Sequence, residues 1–194
     1  MGFENLQKMI EGKIGEKLTD EDFSQFQSYL KTFHFKKKEI ILEKGNPAQY
    51  IYYIESGLIY SYYEDDEAES YINQFATEGY WISDLSSFFG NDSSVVTLET
   101  IEATTCYALE KCDFENVIRA IPKFERFFRI LLQNAYIHLQ QRFTKVFSDD
   151  TEKRYQAFVK RYPDLVRRVP QYLIASYLGV KPQSLSRIRK NIHL

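Results

Sequence analysis

The side chains best suited to recognition chemistry stand near the C-terminal end, in the run PQSLSRIRK at 182–190. On a helix, Gln183, Ser184 and Arg187 would share one face, because residues three and four apart lie one above the other. An arginine fork matches the two acceptors on a guanine edge and a glutamine amide matches adenine, so these three are the candidate base readers. Lys181, Ser186, Arg189 and Lys190 surround them with groups suited to backbone phosphates, and Arg167 and Arg168 extend that set upstream. The charge balance points the same way. Across 152–194 ten cations meet two acids, a balance of +8, which leaves −10 on residues 1–151 of a chain whose total is −2. A polyanion is drawn to one end of such a molecule and repelled by the other.

Other chemistries find less to stand on. Cys106 and Cys112 are six apart, neither a CxxC redox pair nor part of a four-ligand set, and read as inert thiols of a reducing compartment. His34, His138 and His193 form no local ligand motif, so no metal and no cofactor is expected. With no nucleophile beside a base and no phosphate-binding loop, the chain does not read as an enzyme. The longest uncharged stretch of the C-terminal third, 169–180, has twelve residues, short of the roughly 20 that a membrane span needs. Charges occupy the N-terminal MGFENLQKMIEGK where a signal peptide needs an apolar run, and Leu6 stands where myristoylation requires Ser or Thr; the expected location is the cytoplasm, away from membranes.

Readers of this kind need a rigid platform. The segment QYLIASYLGV at 171–180 supplies one: Ala175 is small where two helices would cross, Gly179 suits a left-handed turn, and Pro182 opens the next helix where a missing N–H costs nothing. Leu185 and Ile188 then dock the second helix on the first, which makes a helix-turn-helix. A further helix is expected over 151–161, started by the break Ser148-Asp149-Asp150-Thr151. Upstream, Phe124, Phe128, Leu131 or Leu132, Ala135, Leu139, Phe143 and Val146 step by three and four for more than twenty residues. So wide a stripe can bury one side on its own subunit and another on a partner helix, and Phe124, Phe128, Leu132, Ala135, Leu139 and Phe143 are the expected dimer seam. From 33 to 109 the period falls to two, with short β-branched and aromatic runs between turn residues, as in a closed or sandwich-like β unit. Residues 5–32 read as helical, with Thr19 capping the acids Asp20, Glu21 and Asp22.

The segments EIILEKGNPAQYIYYIESG at 39–57, GYWISDL at 79–85 and LGVKPQSLSRI at 178–188 together resemble the superfamily of the cyclic-AMP receptor protein and the fumarate and nitrate reductase regulator, Crp/Fnr, over nearly the whole length. The resemblance implies an α+β chain: an N-terminal cyclic-nucleotide-binding-like β-roll (a double-stranded β-helix or jelly-roll) with its helices over 1–112, a long dimerisation helix over 113–148, and a helix-turn-helix domain over 149–194. It also implies a transcription regulator acting as a homodimer on double-stranded DNA with an inverted-repeat operator, and RNA polymerase as a further candidate partner. In nucleotide-binding members a Glu holds the ribose and an Arg about ten residues later holds the phosphate. Asp84 aligns with that Glu, but Ser94 stands in place of the Arg and Val95 follows, so the pocket is read as degenerate. Between Lys44 and Lys111 there is no Lys, Arg or His, against twelve Asp and Glu, a field of the wrong sign for a phosphate. The effector, where there is one, is therefore expected not to be a cyclic nucleotide. The family's β-wing would lie past Leu194 and is expected to be missing or replaced by 151–168. A different reading keeps the effector-type domain and has the C-terminal helices dock a protein partner, making a small-molecule-binding signalling module; salt-dependent binding of duplex DNA separates the two.

Overall fold

The computed structural model describes residues 3–67 and 69–192, apart from the side chains of Val146, Asn191 and Ile192. The expectations placed on His193, on the end of the chain at Leu194 and on the Val146 side chain lie outside the described residues. Two helices come first, α1 (Glu4–Ile14) and α2 (Asp20–Ser28). Gly15 closes α1 in the left-handed conformation, and the Thr19 hydroxyl accepts the Asp22 N–H as the cap of α2. The helical reading of 5–32 ends too late: residues 30–32 already belong to strand β1 (Leu30–Phe35), where Leu30 pairs with Leu109. Pairing across the sheet outweighs local helix preference there.

The β-rich middle runs β2 (Ile40–Leu42), β3 (Tyr50–Ser56), β4 (Ile59–Glu64), β5 (Ser70–Ala76), β6 (Trp81–Ile82), the short helix α3 (Leu85–Phe89), β7 (Thr97–Thr100) and β8 (Thr104–Glu110). One four-stranded sheet has the order β1-β8-β3-β6 and the other β2-β7-β4-β5. Strand β8 is central to the first sheet, with Ile51 opposite Leu109 and Tyr53 opposite Tyr107, which explains the unbroken apolar run of its middle. Gly57 makes the tight turn from β3 to β4 at φ +104°, where a Cβ would stand 2.4 Å from the Thr104 hydroxyl. After β8 follow α4 (Lys111–Ala120) and the long α5 (Pro122–Ser148), then α6 (Thr151–Arg161), α7 (Leu165–Arg168), α8 (Gln171–Tyr177) and α9 (Pro182–Ile192).

The chain divides into two compact units: 1–61 with 75–134, and 62–74 with 135–194. This grouping differs from the three consecutive segments expected, because α5 is shared between the units and the β4–β5 hairpin tip joins the C-terminal one. In the first unit Leu6, Ile10 and Ile14 of α1, each four apart, enter the core with Phe26, Ile54 and Leu109. Phe124 and Phe128 join them, 0% and 2% exposed: the Phe124 ring lies 4.0 Å from Phe26, and Phe128 packs on Trp81 and Phe114 at 5.8 and 4.8 Å. Their assignment to a dimer seam is corrected accordingly, since these two rings are already consumed by their own subunit. The second unit has a small core of its own around Tyr155, Phe158, Leu165, Val169, Leu173, Ile174 and Leu185. There the Ser176 hydroxyl of α8 accepts the Ile72 N–H at 3.0 Å and donates to the Ser70 carbonyl at 2.9 Å, while Arg142 donates to the carbonyls of Ile72 and Asn73.

Candidate nucleic-acid interface and effector-type pocket

Helices α8 and α9 form because the sequence punctuates them. Gly179 takes φ +67°, the Val180 N–H returns to the Ala175 carbonyl at 3.0 Å, and Pro182 is the first residue of α9. Ala175 is fully buried at the crossing, and Leu185, 1% exposed, holds α9 down with half-buried Ile188. That docking turns the opposite face outward. Gln183, Ser184 and Arg187 are exposed on it, and so are Lys181, Ser186, Arg189 and Lys190. One turn of helix separates Gln183 from Arg187, about 6 Å along the axis, which is close to two steps of about 3.4 Å between stacked base pairs. Arg167, also exposed, forms an ion pair with Asp164 at 2.8 Å, and Arg168 is half-buried. An exposed pair of this kind is weak enough to be exchanged for a phosphate.

The Asp150 carboxylate accepts the Lys153 N–H and caps α6, as the break before 151 requires. Beyond the core segment of α5, Leu132 is half-buried and Ala135, Leu139 and Phe143 are exposed. Tyr136 at 61%, Leu139 at 59%, Phe143 at 66% and Phe147 at 75% step by three, four and four along one side. Tyr136 and Phe147 belong to this apolar stripe and were absent from the expected seam, although their spacing carries the signal.

At the effector-type pocket Asp84, 7% exposed, caps α3. Its Oδ1 accepts the Ser86 N–H at 3.0 Å, the Ser86 hydroxyl at 2.7 Å and the Ser87 N–H at 3.4 Å. Its Oδ2 accepts the Ser94 hydroxyl at 2.8 Å and the Val95 N–H at 3.0 Å. The three residues singled out in the sequence thus come together, ten and eleven positions apart, with Ser94 buried and the Val95 side chain 62% exposed. Burial alone would raise the Asp84 pKa; the hydrogen bonds from Ser86, Ser94, Val95 and Ser87 outweigh it and hold the carboxyl below its ordinary range. An internal carboxylate thus occupies the donors that an anion would otherwise meet. Burial pushes the Cys106 thiol up to about 12, which keeps it protonated, while Cys112 is exposed. Among the described residues one group, Glu110, Cys112 and Asp113, brings three potential metal-ligand atoms within 4.8 Å of one another; its Glu110 is already bonded to Lys31.

Residues 32–120 match the family described as cyclic nucleotide-binding domain. Solved structures share the fold at low identity. FixK2 from Bradyrhizobium japonicum is 18% identical, with 84% of each chain covered and a TM-score of 0.73. The c-di-GMP responsive global regulator CLP of Xanthomonas campestris is 15% identical over 90% of this chain and 92% of its own, with a TM-score of 0.70. The catabolite activator protein of Thermus thermophilus is 15% identical over 93% and 86%, with a TM-score of 0.60. No curated protein matches the sequence.

Proposed function

We propose that this chain is a homodimeric DNA-binding transcription regulator of the Crp/Fnr superfamily whose effector domain takes no cyclic nucleotide, a reading that the match of 32–120 to the cyclic nucleotide-binding domain and the fold support. The observation that carries the reading is α9, whose apolar side is spent on docking and whose outward side holds Gln183, Ser184 and Arg187 within a segment of charge +8. Arg187 acts as the bidentate donor to guanine and Gln183 as the partner of adenine, while Lys181, Ser186, Arg189, Lys190, Arg167 and Arg168 hold phosphates. Two copies pair through the α5 stripe of Leu132, Ala135, Leu139 and Phe143, extended by Tyr136 and Phe147. The protein works by binding rather than by catalysis, in the cytoplasm, with RNA polymerase as a further contact.

The effector domain is read as self-satisfied. Asp84 already draws on the N–H groups at the start of α3 and on Ser94 and Val95, and 45–110 offers no cation to a phosphate. The test is selection of genomic fragments by the purified protein, followed by fluorescence anisotropy at several salt concentrations. The expected result is an inverted repeat with half-sites about 34 Å apart, bound with an affinity that falls steeply as salt rises. No binding of duplex DNA, or binding indifferent to salt, would overturn the proposal in favour of a helical surface that docks a protein.

A further inference from the structure

In the C-terminal unit the last turns of α5, helix α6 and the end of α8 enclose a cavity of about 120 Å³ that the proposed DNA reading does not use. Its bottom is apolar: Phe158 and Leu178 are 4% and 7% exposed, and the rings of Tyr162 and Tyr177 each stand 5.5 Å from that of Phe158. The other side is cationic. Arg142, Lys145, Arg154 and Arg161 line the cavity, and no lining residue is an acid.

What these cations touch is neutral. Arg142 spans two carbonyls and lies 4.5 Å above the Tyr177 ring, and Arg161 donates to the Tyr162 hydroxyl at 2.9 Å and meets the His138 ring nitrogens at 2.8 and 2.9 Å. Arg154 reaches the Thr151 hydroxyl at 3.4 Å, while its Nε–H is buried and has no hydrogen-bond partner among the described residues. A buried guanidinium donor left without an acceptor is costly, and four like charges around one cavity add to that cost. An anion seated among these charges would relieve the repulsion.

We infer that this cavity is a binding site for a small organic anion with an apolar body of one ring, an aryl carboxylate. A dry cavity of about 150 Å³ accommodates benzene, so a single ring with its charged group at the open side is the size that fits. The ring rests on Phe158, Tyr162, Tyr177 and Leu178; the carboxylate lies among the cationic side chains of Arg154, Lys145 and Arg161. The site adjoins the helix-turn-helix, since a Cβ at Gly179 would stand 4.0 Å from Arg154 Nη1. If the DNA-binding reading above holds, the ligand is an effector acting at the turn that sets α9; binding itself does not depend on that reading.

The test is isothermal calorimetry on the full chain with benzoate, benzamide and acetate as probes. Benzoate should bind saturably, with benzamide, which lacks the charge, and acetate, which lacks the ring, each weaker by at least about tenfold. Arg154→Gln should weaken benzoate by about tenfold, and Ala157→Leu, which fills the cavity from α6, should abolish the heat while circular dichroism stays unchanged. The three-probe comparison uses the unaltered protein, so it decides the matter even where a variant fails to fold. No saturable benzoate heat, acetate as tight as benzoate, or full binding by folded Ala157→Leu would each overturn the site. Benzoate binding in a protein that ignores duplex DNA would uphold the site and count only against the DNA reading.

Discussion

Replacing Asp84 by alanine tests the self-satisfied pocket directly. The substitution removes the cap of α3, a loss of about 1 kcal/mol for a typical N-cap. It also strips the Val95 N–H of its acceptor, and hydrogen bonds to a charged group contribute about 1.5–3 kcal/mol. Ser94 keeps an alternative, because its hydroxyl also bonds the Val96 carbonyl at 2.8 Å, so it adds little to the loss. Together these give about 3 kcal/mol, or roughly 6–12 °C in the melting of a chain this size, read by differential scanning calorimetry. The pH dependence has a definite sign. The folded Asp84 carboxyl titrates below its ordinary value, so its contribution is fully present above the unfolded value near pH 4 and is lost as pH falls through the folded one. The gap between wild type and Asp84→Ala should therefore be widest above about pH 5 and close as the solution becomes more acid. A shift under about 2 °C at neutral pH, or a gap that widens in acid, would show that the carboxylate stands available to a ligand rather than holding the pocket together.

Leu139→Asp with Phe143→Asp should put charges into the stripe of α5 and yield monomers by analytical ultracentrifugation, whereas Phe128→Ala should cost about 3–5 kcal/mol of fold stability, since that ring is core. Cyclic AMP at millimolar concentration should give no saturable heat and leave DNA affinity unmoved; micromolar binding would contradict the reading of Asp84. Arg187→Ala should cost about 1–3 kcal/mol on the preferred operator and relax one position per half-site, while Arg167→Ala should weaken all sequences alike and lower the salt slope by about one. Equal loss on preferred and random DNA would make Arg187 a phosphate contact.

Much of the architecture was legible wherever local chemistry decides it. Thr19, the break at 148–151, Gly179 and Pro182 are each read from their own neighbours, and they stand in the structure as cap, helix start with Asp150 as its cap, turn and first helical residue. The alternation in 33–109 likewise reveals strands, yet not that β1 starts at Leu30, because its pairing partner Leu109 lies almost eighty residues away. The apolar stripe of α5 shows a period and not an owner. Phe124 and Phe128 are claimed by Trp81, Phe26 and Phe114, and no spacing rule contains that information. At the effector-type pocket the missing Arg was readable, but that Asp84 itself takes up the Ser94 and Val95 donors required three-dimensional proximity. The cationic cavity was invisible for the same reason, since Arg154 counted only as charge and Arg142 carried no reading until the fold brought them to one cavity.

The bonds between α8 and the β4–β5 hairpin bear on colloidal behaviour. Strand β5 ends its sheet, and a terminal strand offers N–H and C=O groups on which another chain can grow as an added strand. Here Ser176 takes the Ile72 N–H and the Ser70 carbonyl, and Arg142 takes the carbonyls of Ile72 and Asn73, so part of that template is occupied by side chains. A displacement of α8 would bare this edge, which ties the packing of α8 to the solubility of the protein in crowded surroundings.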